Sequence, residues 1–135
     1  MTRTRDFRLD RHTYPHCELR DLLAFKVWRQ PVVFMRGLVL EMLGYLRESF
    51  DLILDHELWI RIAAKYPILH VAEFWAVERT HDVAKTIAGS ADYVEEAFGL
   101  IERLEQGEPF TSSIRANRNQ IIAGLNVIAA RRLID

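Results

Sequence analysis

Two groups of reactive side chains flank one apolar run. Asp55, His56 and Glu57 open "LDHELWIRIAAKYP", residues 54–67, and Arg79, His81, Lys85 and Thr86 follow it. A carboxylate can take a proton from a hydroxyl, and a neutral imidazole can bind a divalent metal. Guanidinium pairs well with phosphate oxygens. Each group also has a plain structural reading. Acids are ordinary at helix starts, where the first amides lack partners and the dipole favours negative charge. Asp55 taken alone therefore reads as an N-cap. By itself Arg79-x-His81 reads as a surface pair, and Lys85-Thr86 as part of a solvated loop.

Other candidates carry less. His12 and His16 lie four residues apart, but Pro15 disrupts the helix that would aim both at one metal, and no third or fourth ligand is at hand. Cys17 is the single cysteine, so neither an internal disulfide nor a cysteine zinc cluster can form. Its neighbour His16 is adjacent in sequence only, and we read Cys17 as structural. His56 and His70 read as surface or satisfied histidines. Trp28, Trp59 and Trp75 read as core, with stacking on a bound ligand as the alternative.

The chain of 135 residues suits one domain. Half of it is hydrophobic and 27 % is charged, which places it among globular rather than disordered chains. A formal net charge of −1 lacks the basic excess of a general nucleic-acid binder. The opening "MTRTRDFR" is locally basic and reads as a solvated arm. No apolar run approaches the length that spans a bilayer, and no apolar stretch of a secretory signal follows Met1. One cysteine fits a reducing compartment. The expected location is cytoplasmic, with a membrane-peripheral position as the variant.

The elements that must position these groups are mainly helical. Glu18–Arg29 carries Leu19, Leu22, Leu23 and Val27 at helical spacing. Gln30–Met35, "QPVVFM", reads as a short strand or extended segment opened by proline. Leu38–Gly44 reads as a two-turn helix stopped by Gly44. A helix then runs from Asp55 until Pro67 ends it, with Glu57 and Arg61 in the favourable i, i+4 orientation. Ile68–His81 has strand character. Helices resume over Asp92–Glu105, break at Gly107–Pro109, and end in a helix from about Ser112 with Ile114, Ile121, Leu125, Ile128 and Leu133 in one stripe. The expected fold is α+β, mainly helical with a few short strands. Its divisions are an irregular arm at 1–17, a segment at 18–91 and a helical tail at 92–135.

Four pieces occur in a fixed order. Gln30, Pro31, Phe34 and Arg36 form the first. Gly44, Leu46, Glu48 and Ser49 form a turn, with Arg47 between them. Asp55, Glu57, Leu58, Trp59 and Arg61 form the third, and Arg79, His81, Lys85 and Thr86 the last. Residues from Leu22 to Leu104 thereby resemble the C-terminal half of a family 2 glycosyltransferase of the GT-A fold. The family prefers Asp where Arg47 stands, and often has Glu where Leu54 stands.

The resemblance implies an inverting transfer, in which an acceptor hydroxyl attacks the sugar carbon of a nucleoside diphosphate sugar. Asp55 sits where the family places its catalytic base. Glu57, Trp59, Arg61 and Gln30 are placed on the acceptor side or behind it. Arg79, Lys85 and Thr86 fall near the donor diphosphate, and His81 near its metal, Mn²⁺ or Mg²⁺. The helix dipole would lower the Asp55 pKa, while apolar cover from Trp59 or Phe34 would raise it.

The D-x-D and the strand-helix series of a donor-binding half are absent from this sequence. The expected function is the acceptor-side, base-carrying portion of such an enzyme, inactive without a donor-binding half and a homo-oligomer or the partner of another chain. The alternative is a non-catalytic helical binding or oligomerisation module of the same descent. A third possibility, from a different class, is an unrelated helical interaction protein.

Overall fold

The computed structural model describes residues 11–78 and 90–134. Six helices lie among them: α1 (Leu19–Leu23), α2 (Gly37–Leu43), α3 (Leu54–Lys65), α4 (Ser90–Leu104), α5 (Phe110–Ala116) and α6 (Arg118–Ile134). One 3-10 turn spans Gln30–Val32.

No strand occurs among the described residues, which corrects the α+β expectation and its partial GT-A sheet. Gln30–Met35 begins as the 3-10 turn and continues without a backbone ladder. The described part of the second expected strand, residues 68–78, likewise has no backbone hydrogen bond to another described residue. β-branched and aromatic residues favour a strand only where a neighbouring strand supplies backbone partners and a face to bury. Among the described residues neither is present, so the local preference goes unrealised there.

The first helix is also shorter than its periodicity predicts. Phe25 takes a left-handed φ of 56° and ends it. The Lys26 N–H bonds to the Asp21 carbonyl at 3.0 Å and the Phe25 N–H to the Leu22 carbonyl at 3.0 Å, the paired pattern that closes a helix with a left-handed residue. A phenylalanine there costs about 1–2 kcal/mol relative to an ordinary conformation. Its burial against the His56 ring, at a centroid distance of 4.4 Å, offsets this by about 1.5–3 kcal/mol. At the other end of α1 the Asp21 carboxylate accepts from the Glu18 N–H and pairs with Lys26.

Gly44 stops α2 as its sequence position predicts. Its φ of 77° and ψ of 157° lie in a region essentially closed to other residues. α3 ends at Lys65, just before Tyr66 and Pro67, as expected. The predicted last helix is two helices, because the chain breaks at Asn117, whose N–H and side-chain amide both turn back to the Ser113 carbonyl.

One hydrophobic core joins the front and rear of the chain. Leu22, Leu23 and Phe25 meet Leu58, Trp59 and Ile60 of α3, together with Tyr93, Ala97, Leu100, Ile101 and Leu104 of α4. The α4 set recurs at helical spacing, so one face of that helix is buried. Of the predicted α5–α6 stripe, Ile114, Ile121 and Leu125 are buried, Ile128 is partly buried and Leu133 is exposed. α6 approaches the chain after α1 so closely that a Cβ on Gly124 would stand 1.9 Å from the Ala24 carbonyl oxygen. Only glycine fits there.

Candidate functional site around the start of α3

Asp55 is the second residue of α3, not its N-cap. Ile53 holds the cap position and offers no capping side chain. A distant residue does that work. The Glu96 carboxylate, on α4, accepts from the N–H groups of Asp51 at 2.9 Å, Leu52 at 2.9 Å and Ile53 at 3.2 Å. Three amides ahead of the helix are thus gathered by one charge, which fixes where α3 starts and so where Asp55 stands. Glu96 is a positioning residue that sequence reasoning missed. Its only local signal is an acid on the polar side of α4, which is indistinguishable from a solvated one.

The Asp55 carboxylate is half-buried and accepts from the His56 N–H at 2.7 Å. Among the described residues it has no ion-pair partner. Burial lifts its pKa above the usual carboxylate value, against the lowering effect of the His56 and Asp55 amides. Desolvation therefore outweighs the first-turn amides. Phe34, one of the two residues expected to provide the cover, is instead exposed and meets Trp75 edge-on at 5.6 Å. On the α4 side the Tyr93 phenol, raised by burial, also feels the Asp55 charge. The Arg132 guanidinium lies 4.0 Å above the centre of the Tyr93 ring.

Glu57 and Arg61, expected on the acceptor side or behind it, face inward. Glu57 is 1 % exposed and Arg61 7 %. Arg61 Nε donates to both Glu57 oxygens, at 2.8 and 3.0 Å, and Nη2 to one of them at 2.8 Å. The remaining donors reach the carbonyls of Leu43, Gly44 and Tyr45 at 2.8, 3.0 and 2.8 Å. The pair satisfies the carbonyls at the end of α2 and ties that helix to α3. Trp59 is buried in the core, and its Nε1 has no hydrogen-bond partner. Gln30 lies exposed in the 3-10 turn, and no hydrogen bond joins it to Asp55.

His56 is fully buried rather than a surface residue. Its Nε2 lies 2.8 Å from the Leu22 carbonyl and therefore carries the proton, while Nδ1 has no partner. Burial takes its pKa down to about 4. Cys17 is buried, its thiol donates to the Pro15 carbonyl at 3.6 Å, and burial pushes its pKa up. Both fit structural roles. Trp75, by contrast, is exposed instead of belonging to the core.

Arg79, His81, Lys85 and Thr86, the expected diphosphate and metal residues, lie outside the described residues. Among the described residues no three metal-ligating side chains converge. No described helix is long and apolar enough to cross a membrane. No family model, no curated protein and no solved structure matches the chain.

Proposed function

We propose that the chain is the acceptor-side portion of an inverting glycosyltransferase and that it transfers sugar only when joined by a donor-binding half. The observation that supports this most is the state of Asp55. It is half-buried at a helix start, its pKa is raised by burial, and no cation among the described residues neutralises it. A carboxylate so placed is a better base than a surface aspartate. In the proposed step the acceptor oxygen bonds to the sugar carbon as the bond from that carbon to the diphosphate oxygen breaks. The hydroxyl proton passes to the Asp55 carboxylate, and the nucleoside diphosphate leaves. Such a proton transfer is worth roughly 10²–10⁴-fold in rate.

The order of the four sequence pieces supports the assignment of Arg79, Lys85 and Thr86 to the diphosphate and of His81 to the Mn²⁺ or Mg²⁺ that accompanies it. Glu57, Trp59 and Arg61 fit the supporting half of their expected role: all three are buried, and the Glu57–Arg61 pair ties α3 to the end of α2.

Calorimetric titration with UDP and Mn²⁺, on the natural chain and on His81→Ala, tests the donor side. Saturable, metal-dependent binding that disappears in the variant is the expected result. No binding by a well-folded sample favours the second reading, a non-catalytic helical binding module. The inward packing of Glu57, Trp59 and Arg61 already suits that reading.

A further inference from the structure

Two neighbouring segments, α2 with its flanks and residues 69–77, expose large apolar side chains. Phe34 precedes α2, Leu38 and Met42 lie four residues apart on it, and Tyr45 follows beyond Gly44; all four are exposed. Leu69, Phe74, Trp75 and Val77 are exposed too, Leu69 to 86 % and Val77 to 84 %. Two contacts hold the sets together: the edge-on meeting of Phe34 with Trp75, and the ion pair of Arg29 with Glu78. None of α2 is buried.

We propose that this face is the contact surface between two copies of the chain. Weighted by the fraction of each that is exposed, the eight side chains offer about 800 Å² of surface, taking 150–250 Å² per whole aromatic and about 100 Å² per whole aliphatic side chain. Monomers ordinarily expose apolar patches of only about 300–600 Å². One partner's share of a standard interface is about 800 Å². The area is therefore what a stable dimer needs and more than a lone chain tolerates. A net charge of −1 gives two copies almost nothing to repel them. Residues 68–78 add backbone N–H and C=O groups that have no backbone partner among the described residues, and a twofold mate can pair with them. The proposal stands whether or not Asp55 acts as a base.

Sedimentation equilibrium from about 1 to about 200 µM spans the range in which an interface of this size is weakest. The mass is expected to rise from 15.8 kDa towards twice that value. The triple variant Met42→Lys, Leu69→Lys, Val77→Lys changes only exposed positions, and is expected to dissociate at least tenfold more readily with unchanged helicity. Amide hydrogen exchange on the natural chain, comparing dilute and concentrated samples, supplies an independent readout at residues 69–78. Slower exchange there on concentration supports the proposal, even if the variant fails to fold. A mass fixed at 15.8 kDa overturns it and leaves the face to a different protein. Association with no change in exchange at 69–78, or a triple variant that associates as tightly as the natural chain, overturns it as well.

Discussion

The Arg61 guanidinium grips the Glu57 carboxylate one helical turn away, at 2.8 and 3.0 Å from Nε and 2.8 Å from Nη2, and spends its remaining donors on three carbonyls at the end of α2. Arg47 approaches the same carboxylate at 3.4 Å. The spacing that suggests a surface i, i+4 pair belongs to a buried strut.

Breaking that strut is expected to be costly. Arg61→Ala leaves Glu57 charged and buried and three carbonyls short of a donor, a loss of about 3–5 kcal/mol. Arg61→Lys keeps the charge but not the fork, and is expected to recover only part of it. Urea denaturation midpoints of the two variants measure the difference. A loss below about 0.5 kcal/mol for Arg61→Ala would return the pair to the class of surface ion pairs.

Glu96→Ala removes the acceptor for three amides at once. The expected cost is about 1–3 kcal/mol, and hydrogen exchange at Asp51, Leu52 and Ile53 should accelerate beyond that of the rest of α3. Glu96→Gln keeps an acceptor oxygen and is expected to fall between the two.

His56 sets an acid limit on stability. Its folded pKa of about 4 is depressed below the ordinary value of 6.5 because burial disfavours the charged ring. The neutral ring's contribution is complete above about pH 6.5 and is lost as the pH falls towards 4. The full loss is on the order of 3 kcal/mol. Denaturation midpoints taken between pH 7 and pH 4 should decline across that window. A flat profile would contradict the burial of a neutral His56.

Asp55 works in the opposite sense. A folded pKa raised above the unfolded value means that its contribution is most favourable when the carboxyl is protonated, and is lost as the pH rises through the folded pKa. At neutral pH the charged group therefore opposes folding. Asp55→Asn retains an oxygen for the His56 amide, and is expected to leave stability at pH 7 unchanged or to increase it. A simple capping role predicts the reverse, a loss of about 1 kcal/mol. Thermal melts of the two proteins at pH 7 separate the cases.

Local rules made several features legible. Gly44 ends α2 because the chain there needs a glycine-only conformation, and Pro67 lies just past the end of α3. The helix expected over Asp92–Glu105 falls on α4, Ser90–Leu104. The sequence by itself thus determined roughly where the helices fall and where α2 and α3 stop. Only the tertiary structure decided the rest. Whether "QPVVFM" and residues 68–78 become strands depends on neighbours that local preference cannot supply, and among the described residues none is there. Phe25 breaks its helix because burial outweighs a backbone cost that argues against it locally. The clamp from Glu96 to residues 51–53 spans more than forty positions, and the inward turn of Glu57 and Arg61 depends on carbonyls left bare by another helix. Hydrogen bonds of that kind are chosen by which groups the fold brings together, and no periodicity along the chain records them.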